Sequence, residues 1–208
     1  MLFAGGLSLA WYYYPGATAV GIKAKDGVVL AADKRVTYGF TLMSKAGKKV
    51  FKITDKIGMT SAGFIADMQT IAKNIEAEIR LYELESGFPM SVYSTAKLMS
   101  LILYSRRLLP YMVETIVGGV DDKGPHVYIL DPIGAVIEDD YAALGTGSQV
   151  AIGIIEEGYR DDITLETAQQ LAERAIRMAF SRDAVSGDGI DMVIIDEKGC
   201  RERFIPVA

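Results

Sequence analysis

The sequence predicts an α+β fold in which two antiparallel sheets form a layered core flanked by helix pairs. Three observations carry this. Short strands and paired helices alternate in the order strands, two helices, strands, two helices, strands. Most neighbouring strands are joined by hairpin-length connections, which pair them antiparallel. The period of the apolar residues changes from strand-like to helix-like at defined points along the chain.

The strands begin with residues 17–24 and 27–33, joined at Lys25-Asp26-Gly27, where Asp-Gly favours a tight hairpin turn. Residues 50–53 and 57–62 form a second pair around Thr54-Asp55-Lys56, and Gly63 closes the strand phase. From there Ile65, Met68, Ile71, Ile75, Ile79 and Tyr82 recur at steps of three and four, with charges between them, which predicts an amphipathic helix. A turn at residues 86–89 follows. Ser91 can cap a second helix over 92–108, which ends before Pro110. Strands return at 112–120, 126–130 and 135–138, separated by the Asp- and Gly-bearing turns 121–124 and 131–134. Two more helices are expected over 148–159 and 165–181, the latter capped by Thr164. Strands at 190–195 and 202–206 close the chain.

With 208 residues the chain fits one domain with a sizeable core. It carries 22 Lys and Arg against 27 Asp and Glu, a net charge of −5, which argues against a nucleic-acid or anionic-membrane binder. Half of its residues are apolar and the mean hydropathy is +0.20, too high for a disordered chain. A single cysteine, Cys200, cannot form an internal disulfide and fits a reducing, cytoplasmic setting. A single histidine, His126, excludes a zinc site built from several His and Cys, and any Ser-His-Asp triad that does not use it. Out of context His126 reads as structural, Cys200 as an ordinary thiol and the methionines as core filler. Residues 1–16 form an uncharged, aromatic extension that is too short and too broken by Gly5, Gly6 and Pro15 to span a membrane. It also lacks the basic start of a signal peptide. Trp11 and Tyr12–Tyr14 would favour packing over a free tail.

Several segments point together to one family. They are residues 16–22 (GATAVGI), 26–35 (DGVVLAADKR), 47–50 (GKKV), 60–63 (TSAG), 110–113 (PYMV) with Gly118-Gly119, 145–148 (GTGS) and 182–187 (RDAVSG). In order and nearly in spacing the chain resembles a β-type subunit of the archaeal proteasome core particle, from about residue 16 to about residue 196. The resemblance implies a four-layer α-β-β-α sandwich over residues 17–208, preceded by a propeptide-like extension over 1–16. The α-type subunits carry a helix before the first strand, and none is readable here.

The resemblance also implies a chemistry. Members of this family are N-terminal nucleophile hydrolases, threonine-type endopeptidases that act in intracellular protein degradation. A threonine freed at the new chain terminus attacks the peptide carbonyl. Its own α-amine, with a pKa of about 7.7–8, handles the proton. No cofactor and no metal is needed. Carried over residue by residue, Asp33 and Lys49 match the acidic residue and essential lysine. Asp183 and Ser186 match a supporting pair, and Ser148 lies in the glycine-rich turn that orders the nucleophile, where Thr146 replaces the commoner serine. Gly63 matches the oxyanion-hole glycine. Val36, Gly47, Phe51 and Ser61 would surround an apolar specificity pocket. The implied partners are proteasome α-type and other β-type subunits in stacked heptameric rings, with unfolded polypeptides delivered by a regulatory ATPase. Neither nucleic acid nor membrane is implied. Read without the family, Asp33 and Lys49 would be surface charges, Gly63 a strand end and Asp183 a turn residue.

One departure decides activity. Where the family has the nucleophilic threonine after glycine, this sequence has Ala17. Alanine has no hydroxyl. The expectation is a catalytically silent, structural subunit. The alternative is an active endopeptidase using Thr18 after removal of residues 1–17. Two points oppose it: the family spacing from Ala17 to Asp33 and Lys49 is kept, and a one-residue slip in a strand turns the side chain to the opposite face.

Overall fold

The computed structural model describes residues 16–39 and 41–207. The extension read over residues 1–15, with Trp11 and Tyr12–Tyr14, lies outside these. Twelve strands and four helices are formed by the described residues. The first half contains β1 (Ala19–Ala24), β2 (Gly27–Asp33), β3 (Val36–Tyr38), β4 (Thr41–Ser44), β5 (Val50–Lys52) and β6 (Ile57–Gly63), then α1 (Ile65–Ser86) and α2 (Val92–Ser105). The second half contains β7 (Val113–Asp121), β8 (Gly124–Leu130), β9 (Val136–Asp139) and β10 (Tyr141–Leu144), then α3 (Ser148–Gly158), α4 (Leu165–Phe180), β11 (Ile190–Asp196) and β12 (Gly199–Ile205). Among the described residues no helix is long and apolar enough to cross a membrane.

The strands pair antiparallel into two five-stranded sheets, ordered β10-β1-β2-β11-β12 and β5-β6-β7-β8-β9, plus the separate hairpin β3-β4. Successive side chains of a strand face opposite ways, so a strand buried on both faces needs apolar residues throughout. β2 reads GVVLAAD and is buried along its whole length. Its Val29 and Ala31 pack with Val20, Ile22, Met192 and Ile194 against α3 and α4. Its Val28, Leu30 and Ala32 pack instead with Ile116, Val127 and Val193, between the two sheets. A third cluster, including Met59, Val117 and Leu130, joins the other sheet to Met68, Ile71 and Ile75 of α1 and to Ala96, Met99 and Leu103 of α2. The layer order is therefore helix pair, sheet, sheet, helix pair, as expected.

The expected caps are present. Ser91 accepts from Ser94 N at 3.1 Å and Thr164 from Thr167 N at 3.2 Å. The α2 helix stops at Ser105 instead of residue 108, in turns closed by Arg106 N to Leu103 O and Leu109 N to Arg106 O. Three elements were not expected: β3, β4 and β10. The first two form a hairpin that turns at Gly39, with φ of 57°, and is exposed over most of its length. Val36, Tyr38, Phe40 and Leu42 do alternate with Thr37, Gly39 and Thr41 in the sequence, a period-two signal that the elements expected above do not use. Strand β1 starts at Ala19, later than expected, and Ala17 and Thr18 lie just before it.

Candidate active site at the end of β2

Strand β2 ends in Asp33, and the chain returns through the β3-β4 hairpin to place Lys49 one residue ahead of β5. Both side chains are buried. Lys49 Nζ donates to Asp33 Oδ1 at 2.7 Å and to the Arg35 carbonyl at 2.7 Å. Asp33 is saturated by backbone donors as well: Thr18 N reaches Oδ1 at 3.0 Å, while Arg35 N and Gly187 N reach Oδ2, both at 3.0 Å. A buried charge needs this degree of compensation. Burial pushes the Lys49 ammonium below the ordinary lysine value against the attraction of Asp33. It pushes Asp33 up against the pull of Lys49 and the N–H groups of Thr18 and Gly187.

A second cluster of hydroxyls adjoins the pair. Ser186 Oγ donates to Asp183 Oδ2 at 2.6 Å, which leaves the Ser186 oxygen to accept from Thr18 Oγ1 at 2.8 Å. Thr146 Oγ1 donates to the same carboxylate oxygen at 2.6 Å and accepts the Ala17 N–H at 3.3 Å. Ala17 is thus held by its backbone, fully buried, among the inter-sheet residues that include Ala19, Ala32, Val50 and Ala62. A Cβ on Gly145 would come within 2.2 Å of the Ala17 carbonyl oxygen and 2.9 Å of Ala62 Cβ, so Ala17 passes close to the strand that ends in Gly63.

Gly63 has φ of +136°, and a Cβ there would lie 2.1 Å from the Met112 carbonyl oxygen. Only glycine fits. It stands directly before Phe64, the N-terminal flank of α1, where helix N–H groups concentrate positive potential.

Of the residues expected to carry chemistry, the structure brings Asp33, Lys49, Thr18, Asp183 and Ser186 together around Ala17. Ser148 is the first residue of α3. Its N–H bonds to the Gly145 carbonyl at 3.2 Å, and its hydroxyl takes no part in the hydrogen bonds of this cluster. Thr146, two residues earlier, makes the contact with Ala17. Among the residues expected around a pocket, Val36 and Gly47 lie close together: a Cβ on Gly47 would lie 2.4 Å from Val36 Cγ2 and 3.7 Å from Ile65 Cδ1. Phe51 pairs with Met59 across β5 and β6, and Ser61 lies two residues on from Met59, on the same face. Ser61 Oγ is tied to Thr115 Oγ1 at 2.9 Å. His126 sits on β8 and bonds to Glu138 of β9 at 2.7 Å, outside the site.

Two participants escaped the sequence reading. Arg35 touches the pair through both its backbone N–H and its carbonyl. Its guanidinium also reaches Asp188 Oδ2 at 2.7 Å and the Ala184 carbonyl at 2.8 Å. It therefore clasps the loop that carries Asp183 and Ser186. Asp188 holds φ of 65°, unusual for a residue with a side chain. Ile65, the first residue of α1, is the other: its Cδ1 lies 3.7 Å from where a Cβ on Gly47 would stand.

A family model described as proteasome subunit matches residues 13–195. The chain is 56% identical over 194 residues to the proteasome subunit beta 2 of Thermofilum pendens, covering 93% of this chain and 95% of that protein. It is 55% identical over 192 residues to the proteasome subunit beta 2 of Pyrobaculum aerophilum, covering 92% and 95%. With the proteasome subunit beta 1 of Ignicoccus hospitalis it shares 54% identity over 181 residues, covering 87% and 91%.

Proposed function

This chain belongs to the proteasome-subunit family, and we propose that it is a β-type subunit that builds the core particle without cleaving peptides itself. It would sit in a β ring beside other β-type subunits and against α-type subunits. Sister subunits would supply the active threonines that degrade unfolded polypeptides in the cytoplasm.

The observation that carries this reading is the alanine at position 17. Its N–H is held by Thr146, the next amide is held by Asp33, and its methyl group has neither a lone pair nor a proton to give. An ammonium has three N–H donors. Lys49 spends two of them on Asp33 and the Arg35 carbonyl, so the third has no nucleophile oxygen to serve at residue 17. Asp33, Lys49, Asp183, Ser186, Thr146 and Gly63 would then be an intact support for an absent hydroxyl.

A second reading makes Thr18 the nucleophile after removal of residues 1–17. It draws on the relay from Thr18 Oγ1 through Ser186 to the Asp183 carboxylate. Against it, the Thr18 hydroxyl is fully buried and already committed to Ser186.

Intact mass of the chain from an assembled particle separates the two. A chain that keeps residues before Ala17, and takes up no threonine-directed covalent inhibitor, is the expected result. A chain beginning at Thr18, or an adduct on it, overturns the silent reading. Ala17→Thr should switch on both self-removal of residues 1–16 and inhibitor labelling. Peptide cleavage by the variant should rise ~10³-fold or more, on the scale by which removing a nucleophile lowers rates.

A further inference from the structure

The turn at residues 183–187 lies between α4 and β11, outside both sheets, yet it carries Asp183 and Ser186. One guanidinium braces it at two places. Arg35 Nη1 donates to the carbonyl of Ala184, the neighbour of Asp183, at 2.8 Å. A Cβ on Gly187, the neighbour of Ser186, would lie 2.7 Å from Arg35 Cζ, so the guanidinium rests against the bare Cα of that glycine. Gly187 in turn meets the buried ion pair. Its N–H donates to Asp33 Oδ2 at 3.0 Å, and its carbonyl accepts from Lys34 N and Arg35 N, both at 3.1 Å. From the other end of the turn, Asp183 accepts from Thr146, which holds the Ala17 N–H.

The guanidinium is itself aimed by Asp188. Asp188 Oδ2 accepts from Arg35 Nε at 2.7 Å, and Lys45 Nζ lies 3.9 Å from Oδ1. Arg35 stands immediately before β3 and Lys45 immediately after β4. One carboxylate therefore closes the foot of the hairpin and holds the brace on the turn. The backbone is bent to deliver it, with Asp188 at φ of 65°, a region that side chains disfavour. The Asp188 side chain is only 11% exposed, whereas that of Arg35 is 28% exposed. Without Asp188, the guanidinium has solvent to turn into.

We propose that Asp188 is a positioning residue for the nucleophile position: through the Arg35 guanidinium it fixes the turn of Asp183 and Ser186 against Asp33 and Lys49, and with it the hydroxyl of a residue 17 that has one. Asp188 itself touches no reacting atom. Its loss leaves the Asp33–Lys49 pair in place but lets the turn drift. A displacement of about 1 Å at a supporting group can cost on the order of 100-fold in rate. The proposal rests on the reading of this cluster as a support for a hydroxyl at residue 17, and adds the residue that keeps the support in register.

The test uses the chain carrying Ala17→Thr, assembled with the α-type and β-type proteasome subunits of its own source. Intact mass follows the adduct of a threonine-directed covalent inhibitor on this chain alone, over a range of inhibitor concentrations and below the melting temperature of each variant. This separates the limiting rate of labelling from the concentration that gives half of it. Adding Asp188→Asn, which accepts the same φ, should lower the limiting rate about tenfold or more and move the half-saturating concentration less than about twofold. An unchanged limiting rate overturns the proposal while the support reading stands. A fall confined to the labelled fraction also overturns it, because that is what a merely structural residue would give. If Ala17→Thr alone keeps residues 1–16 and takes no label, the support reading falls and this proposal with it. A double variant that stays out of the particle is read by hydrogen exchange of the isolated chain with Ala17 retained. The amides of Ser186 and Gly187 should then exchange about tenfold faster in Asp188→Asn than in wild type, with those of β2 unchanged; equal rates at Ser186 and Gly187 overturn the proposal.

Discussion

Asp33 and Lys49 show how much a single pair can commit a site. Each has its charge fully compensated by the other and by backbone groups from three segments of the chain. Lys49→Met leaves the Asp33 carboxylate buried without its cation, and the loss expected from urea unfolding is about 3–5 kcal/mol. Adding Asp33→Asn removes the stranded charge, so the double variant should recover part of that loss. A double variant no more stable than Lys49→Met would show that the pair is not acting as a unit. Cys200 contrasts with it. Burial pushes its thiol up to about 11, so at pH 7–8 it stays protonated. Alkylation of the folded chain should be much slower than that of the urea-unfolded chain, read by mass spectrometry. Neither residue could be weighed from its neighbours in sequence alone. Asp33 and Lys49 were legible as a pair only through the motifs around them, because their backbone partners Thr18, Arg35 and Gly187 come from three separate segments of the chain.

At the scale of elements, the sequence shows strands and helices wherever a core enforces a period. It loses them where no core does. Residues 27–33 and 65–86 were legible because both bury a regular pattern. The β3-β4 hairpin is largely exposed, so its alternating Val36, Tyr38 and Leu42 mark no buried face, and β10 is only a four-residue strand between Asp140 and Gly145. The Arg35 clasp was equally hidden, since it joins residues 153 positions apart. Its hydrogen bond to Arg35 holds the Asp188 carboxyl below its ordinary value of 3.8. A carboxyl depressed in the folded state stabilises above its unfolded pKa, and that stabilisation is lost as pH falls below 3.8 and through the folded value. Asp188→Asn should therefore melt below wild type at neutral pH, and the gap should close on acidification toward pH 2–3. Asparagine tolerates the φ of this position, so the comparison isolates the charge. A gap that stays constant with pH would rule out the ion pair as its source.

The described residues form four layers with three apolar clusters, and the strands buried on both faces lie at their centre. β2 lies between β1 and β11, and β7 between β6 and β8. Their amides should be the slowest to exchange, approaching the global unfolding free energy, while β3-β4 and β12 exchange through local opening. Slower exchange in β12 than in β2 would contradict this ordering. The layer order was legible because helix pairs and strand runs alternate. The match of specific side chains across layers was not, because it depends on register.

The entry of the chain into the fold has a mechanical consequence. Ala17 and Thr18 are tied by their amides to Thr146 and Asp33, and β1 continues from them, paired on one edge with β10 and on the other with β2. A pull on the segment ahead of Gly16 would load β1 along its own axis. Hydrogen bonds perpendicular to that axis then share the load in shear instead of opening one at a time. Tension on the leading segment would reach the two anchored amides first, and past them the whole of β1, held on both edges, would have to slide at once.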